Sequence, residues 1–173
     1  MEDKEGRIIR KLIINILMLI IALILQLTFP PDLIFKGVRP DFLLVVVVVI
    51  GLIRGVKEGI GFGFIAGILQ NIFQGGFSGV YILVKILVGG LSGFIEKIIF
   101  KDKYIFPPLV IFFITIIQET VVILLSEKLL FDINYLSALT SIILPEAFLN
   151  SVLGFFVYYI YYRACYLRGN YYE

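Results

Sequence analysis

The stretch that decides the fold is residues 12–29, LIINILMLIIALILQLTF, a run without a single charge. It follows Arg7, Arg10 and Lys11 and ends at Pro30-Pro31. A helix that crosses a bilayer needs about 20 mostly apolar residues, so this run predicts a first transmembrane helix. Its start resembles a secretory signal peptide. No small-x-small cleavage site follows, however, and more apolar segments come after it, so we predict that the helix is retained.

The composition extends this prediction to the whole chain of 173 residues. The sequence is 60% hydrophobic and 16% charged with a mean hydropathy of +1.03, whereas soluble domains average about 45–50% apolar and about 25% charged. A soluble core of this size could not hide so much apolar surface. With no histidine and one cysteine, histidine catalysis, His/Cys metal sites and an intrachain disulfide are excluded. No phosphate-binding loop and no nucleophile with a nearby base is present, so we expect no enzymatic activity, cofactor, metal or nucleic-acid binding.

Five more apolar segments follow, which predicts an all-α polytopic membrane protein with six transmembrane helices in one domain, residues 1–173. The second segment contains five consecutive valines and is short, so it needs flanking residues or a thinned bilayer. The last apolar stretch is too long for one straight span and contains Pro145. We predict a break there, with residues 136–144 at the interface or re-entrant. The predicted spans are approximately 12–29, 41–54, 59–74, 80–95, 104–125 and 145–162.

The positions of the basic residues predict the orientation. Cytoplasmic loops of membrane proteins carry an excess of Lys and Arg, and six spans with both termini in the cytoplasm give the strongest excess. Lys36, Arg39 and Lys128 are then outside, and Lys85 lies within a span. The cytoplasmic basic residues are Lys4, Arg7, Arg10, Lys11, Arg54, Lys57, Lys97, Lys101, Lys103, Arg163 and Arg168.

Small residues recur at four-residue intervals along the third and fourth predicted helices. Residues four apart share one face of a helix, and small residues at that spacing let two backbones approach closely in lipid. We expect this glycine ladder to pack the third helix on the fourth; a surface for another protein's helix is the alternative. The ladder consists of Gly59, Gly63, Gly67 and Asn71 on the third helix and of Gly89 and Gly93 on the fourth.

Two ionisable side chains, Lys85 and Glu119, fall inside predicted spans, where a charge costs a few kcal/mol or more. Both lie roughly 8–9 Å below the outer boundary, so we predict an ion pair between them. The pair would orient helices, with Lys85 snorkelling toward the outer interface; a solute or ion pathway is the alternative. Together with Arg39, Asp41 and Glu146 they form a predicted outer polar cluster, which we expect to shape a groove open to the outside.

Residues 39–97 resemble the MreD family, small integral membrane proteins of the bacterial rod-shape system. The resemblance rests on Arg39-Pro40-Asp41 before an aliphatic run, on the glycine spacing from Gly59 to Gly67, and on the glycines from Gly89 to Gly93. The chain departs from the family at Asn71, where family members often have an acidic residue.

The resemblance implies a non-enzymatic scaffold of the bacterial cytoplasmic membrane that binds MreC. Through MreC it would be linked to the MreB filament and to the peptidoglycan polymerase and transpeptidase; membrane lipid and a second copy of the chain are further possible partners. It also implies a fold similar to the S components of energy-coupling-factor transporters. The alternative function is therefore a substrate-binding subunit for a vitamin or small solute. That alternative predicts a cavity of about 300 Å³ or more. Against it, the first span offers only Ala22 as a small residue for contact with a coupling module.

Overall fold

A computed structural model describes residues 4–30, 38–73, 79–96, 106–125 and 135–166. Within these ranges every regular element is helical, which confirms the predicted all-α polytopic class. Three stretches are long and apolar enough to cross a membrane, namely Ile9–Thr28, Phe106–Leu125 and Tyr135–Ala164. The elements are α1 (Lys4–Thr28), α2 (Phe42–Arg54), α3 (Val56–Phe73), α4 (Val80–Ile95), α5 (Phe106–Leu125), α6 (Tyr135–Ala138), a π-helical segment (Leu139–Ile143) and α7 (Leu144–Tyr166).

Some predictions fall outside the described residues. The ends of two predicted spans, at Gln74 and at residues 104–105, are among them. So are six of the basic residues used to predict the orientation, namely Lys36, Lys97, Lys101, Lys103, Lys128 and Arg168.

The short helix α2 lies at the centre of the bundle. Every residue from Phe42 to Ile53 is buried, and α2 packs against α1, α3, α4, α5 and α7. A helix that is apolar on all sides is stable only when other apolar groups surround it, and the valine-rich run supplies such a helix. Its 13 residues span only about 20 Å. Neighbouring helices, rather than lipid, therefore contact this short element along most of its length.

The longer helices around α2 carry apolar side chains on their outer faces. Leu17 on α1, Leu83 on α4, Phe113 on α5 and Ile160 on α7 are all more than half exposed. Exposed apolar surface on this scale marks a protein that contacts lipid or another apolar partner. The arrangement is that of a membrane protein whose most apolar helix is inside and whose flanking helices meet the lipid.

A single residue, Gly55, joins α2 to α3. Its φ of +87° and ψ of −176° lie in a region that is essentially restricted to glycine. The N–H of Gly55 donates to the carbonyl oxygen of Gly51 at 2.8 Å, and the carbonyl of Gly55 accepts from the N–H of Gly59 at 3.0 Å. The chain therefore reverses with its backbone hydrogen bonds satisfied, and α3 packs directly against α2.

The glycine ladder lies between α3 and α4, which pack backbone to backbone. A Cβ atom at Gly59 would overlap the carbonyl oxygen of Gly89, and one at Gly63 would overlap the carbonyl oxygen of Lys85. Such close approach supplies the van der Waals contact that holds helices together in lipid. Three more members of the ladder face backbone atoms of the opposing helix in the same way: Gly67, Gly89 and Gly93.

The predicted break at Pro145 is wrong, because the chain is helical from Tyr135 to Tyr166. The π-helical segment ends two residues before Pro145, and the N–H of Leu144 donates to the carbonyl oxygen of Leu139, five residues back. A proline lacks an N–H, and its ring clashes with the carbonyl four residues earlier. A π-helical turn shifts the carbonyl register and so lets the helix pass through the proline. The membrane depth of residues 136–144 stays a prediction.

We predict that Gly63→Ala lowers the free energy of unfolding by about 2 kcal/mol or more, because its Cβ would overlap backbone that moves only if the helices separate. Gly61→Ala is the matched control. It lies two residues away on α3 with open space around it, and alanine is favoured over glycine in a helix by about 0.5–1 kcal/mol. Thermal unfolding of the purified protein in detergent measures both variants. Equal midpoints would contradict the packing role of Gly63.

Candidate functional site

Six helices bring one end each to a cavity of about 490 Å³. The C-terminal halves of α1, α3 and α5 and the N-terminal ends of α2, α4 and α7 surround it, so each of these six helices runs opposite to the one before it. The cavity is lined by Gln26, Leu27, Val38, Arg39, Asp41, Gln70, Phe73, Tyr81, Glu119, Ile142 and Glu146.

Asp41 is bonded to several helices at once. Its Oδ1 accepts a hydrogen bond from the N–H of Leu44 at 2.8 Å, so it caps the N-terminus of α2. Its Oδ2 lies 2.5 Å from Nζ of Lys85 on α4. The two side chains are 5% and 0% exposed. The result is a buried ion pair whose carboxylate also lies at the positive end of a helix dipole.

Two amide side chains complete the coordination of this carboxylate. Nε2 of Gln118 on α5 donates to Oδ2 of Asp41 at 2.9 Å, and Nε2 of Gln70 on α3 approaches the same oxygen at 3.4 Å. Hydrogen bonds to an ionised acceptor are roughly twice as strong as neutral ones. A buried carboxylate is tolerated only with partners of this kind.

The oxygens of two further side-chain amides accept hydrogen bonds from the first N–H groups of α2. Oδ1 of Asn150 on α7 accepts from the N–H of Asp41 at 2.8 Å, and Oε1 of Gln26 on α1 accepts from the N–H of Phe42 at 2.7 Å. Nδ2 of Asn150 also reaches Oγ1 of Thr115 on α5 at 3.3 Å. These N–H groups have no partner inside the helix. Side chains from other helices satisfy them and so tie α1, α5 and α7 to this point.

The predicted ion pair between Lys85 and Glu119 is wrong, and so is the predicted snorkelling of Lys85. The ammonium of Lys85 is fully buried and contacts Asp41, whereas Oε1 of Glu119 accepts from Nε2 of Gln118 at 3.1 Å. The prediction compared only residues that lie within the apolar spans. Asp41 was left out of that comparison because it lies at the boundary of its apolar run. An Asp immediately before an apolar helix is an N-cap signal, and that signal could have placed Asp41 at the first turn of α2, although not at its depth in the bundle.

The structure brings the predicted outer polar cluster together in one place. Arg39 is exposed, Glu119 is half-buried and Glu146 is buried, and all three line the cavity with Asp41. Lys85 lies against Asp41, and the glycine ladder runs away from the cavity along α3 and α4.

Three buried amide oxygens have no hydrogen-bond partner among the described residues. They are Oε1 of Gln70, Oδ1 of Asn71 and Oε1 of Gln118. Of these residues, Gln70 lines the cavity. A buried acceptor left without a donor costs about 1–3 kcal/mol, so a donor that reached Gln70 from the cavity would recover part of this cost.

Comparison with protein families gives a match. The sequence profile described as rod shape-determining protein MreD matches residues 6–165. The chain belongs to the MreD family. No curated protein and no solved structure matches it, so the similarity to S components stays a prediction. The family assignment makes this a membrane protein of the rod-shape system.

A second polar cluster of this MreD-family protein, which the sequence did not predict, lies toward the opposite end of the bundle. The hydroxyl of Tyr161 on α7 hydrogen-bonds Oδ1 of Asn15 on α1. Nδ2 of Asn15 donates to Oε2 of Glu58 at 3.3 Å, and Nε of Arg54 lies 3.1 Å from the same oxygen. The asparagine, the tyrosine and the i, i+4 charge pair are individually ordinary. The packing of α1, α3 and α7 around α2 brings them together.

We predict strong energetic coupling between Asp41 and Lys85. Lys85→Met or Asp41→Asn alone should lower the free energy of unfolding by about 3–5 kcal/mol, because each leaves one buried charge unpaired. The double variant should lose about 1–3 kcal/mol less than the sum of the single losses, since asparagine still caps a helix and methionine replaces the lysine stem. Denaturant titration in mixed micelles measures this cycle. Additive losses would show that the two residues act independently.

Proposed function

We propose that this MreD-family protein is a non-enzymatic membrane scaffold that binds MreC. Through MreC it would be linked to peptidoglycan synthesis and to the MreB filament. The observation that carries the proposal is the cavity of about 490 Å³, in which Asp41 is positioned by buried bonds from α3, α4, α5 and α7. A preformed recess costs a partner little reorganisation when it binds.

The proposed location is the bacterial cytoplasmic membrane, crossed six times with both termini in the cytoplasm. The alternating helix directions around the cavity support six crossings, and the basic residues favour a cytoplasmic N-terminus. Because α1 then runs outward and contributes its C-terminal residues Gln26 and Leu27 to the cavity, the cavity opens on the extracytoplasmic side. A partner anchored in the same membrane can reach it there.

The chemistry of the described lining supports binding rather than catalysis. It contains three carboxyl groups, two amides, one arginine, one tyrosine and apolar side chains, but no serine, cysteine or histidine. The most buried carboxylate, Asp41, already accepts bonds from four residues. The description of the family as shape-determining agrees with a scaffold.

A second candidate function is a subunit that binds a small solute, as S components do. The cavity volume favours it, because about 490 Å³ exceeds the roughly 300 Å³ at which ligand pockets begin. The two functions differ in what is retained on purification from native membranes. A scaffold brings MreC, whereas a solute-binding subunit brings a small molecule that mass spectrometry of the denatured sample detects.

We predict that Leu27→Trp lowers the recovery of MreC with the tagged protein at least about tenfold, a loss of about 1.4 kcal/mol, because the indole would fill the mouth of the cavity. Leu17→Trp is the matched control. Both leucines lie on α1 and are similarly exposed, 52% and 55%, but only Leu27 lines the cavity. Quantitative co-purification from native membranes is the measurement. Equal recovery with both variants, each shown to be folded, would exclude the cavity as the MreC site.

A further inference from the structure

Among the described residues that line the cavity, acidic side chains outnumber basic ones. Asp41, Glu119 and Glu146 contribute carboxyl groups to its lining, and the buried ammonium of Lys85 pairs with Asp41. The cation of the described lining is Arg39, whose side chain is exposed. An anionic ligand would meet the carboxylate of Glu119 in a partly buried position, where like charges repel more strongly than in water.

An unsatisfied acceptor points to the same class of ligand. Gln70 is 5% exposed; its Nε2 is directed at Asp41, and its Oε1 has no partner among the described residues. A neutral apolar ligand would leave this oxygen unsatisfied. Lysine and arginine side chains are donors without acceptors, so either could serve Gln70 and a carboxylate together.

A metal ion fits this cavity less well than an organic cation. Among the described residues no group of three His, Cys, Asp or Glu side chains is close enough to hold a metal ion. The lining also includes the aromatic rings of Phe73 and Tyr81, and aromatic faces attract ammonium and guanidinium groups.

The distribution of apolar and acidic residues indicates the shape of the ligand. Leu27, Phe73 and Ile142 are exposed apolar lining residues, whereas Asp41 and Glu146 are buried. Lysine and arginine have this profile, with an apolar stem behind a charged head. An aminophospholipid carries its phosphate only two carbons from the ammonium, and its phosphate would lie beside the carboxylates.

We propose that the cavity binds the side chain of one lysine or arginine from an extracytoplasmic segment of a partner protein. This inference rests on the proposed scaffold function and adds the chemistry of recognition. The stem packs among the apolar residues of the mouth, and the charged head donates to Gln70 Oε1 and to the carboxylates of Glu119 and Glu146.

The test uses the full-length protein in phosphatidylcholine nanodiscs, whose quaternary ammonium has no N–H. The probe is N-acetyl-lysine N-methylamide, and the matched probe is N-acetyl-norleucine N-methylamide, which keeps the stem and lacks the ammonium. We expect a saturable rise in unfolding temperature with the lysine probe and at least tenfold weaker binding of the norleucine probe. Equal binding of the two probes would overturn the proposal.

Variants locate the binding. Glu146→Gln and Gln70→Met should each weaken the binding of the lysine probe at least about tenfold. Glu58→Gln is the matched control, because it makes the same substitution near the opposite end of the bundle. It should change the affinity for the lysine probe less than twofold. Because Glu146→Gln could disturb folding, its unfolding temperature without probe is measured as well. An effect of Glu58→Gln as large as that of Glu146→Gln would overturn this location.

Two further experiments distinguish a protein side chain from a lipid amine, and the cation site from the scaffold function. Loss of the lysine response in nanodiscs that contain phosphatidylethanolamine would show that a lipid amine occupies the cavity, and would overturn the side-chain proposal. Recovery of MreC without any lysine response would overturn the proposal and leave the scaffold function standing. A lysine response that depends on Glu146, in a protein that never recovers MreC, would overturn the scaffold function and support the cation site.

Discussion

The buried ion pair between Asp41 and Lys85 is the interaction on which the rest of this structure depends. A carboxylate removed from water is stable only when charge and hydrogen bonds replace its hydration. Asp41 obtains these from the first turn of α2 and from side chains on α4 and α5. The donor–acceptor distance of such a bond can vary by only a few tenths of an ångström. The position of each contributing helix along the bundle is therefore fixed relative to the N-terminus of α2.

The ion pair and the glycine ladder constrain each other through Lys85. Its carbonyl oxygen occupies the space that a Cβ of Gly63 would need, and its ammonium contacts Asp41. Sliding α4 by one residue, about 1.5 Å, would disturb both contacts. Lipid provides no hydrophobic drive for helices to associate, so close backbone packing and a satisfied buried charge together replace it.

The parts of the fold that follow from local pattern could be predicted, and those that depend on packing could not. Apolar length and four-residue spacing are local, so the helices and the glycines of α3 were accessible from the sequence. The partner of Lys85 was not, because it depends on how deeply Asp41 is drawn inside with α2. The helix through Pro145 was missed because a π-helical turn has no clear sequence signal. Arg39, Glu119 and Glu146 could be grouped from the alternation of helix directions alone.

The two polar clusters give α1 a different attachment from the other helices. Its main packing partner is α2, and much of its remaining apolar surface is exposed. It is also joined by Gln26 to the N-terminus of α2, and by Asn15 to Glu58 on α3 and Tyr161 on α7. Hydrogen bonds at two depths therefore hold α1 where packing alone is modest. Because α1 contributes Gln26 and Leu27 to the cavity wall, the bond between Gln26 and the N-terminus of α2 positions this part of the wall.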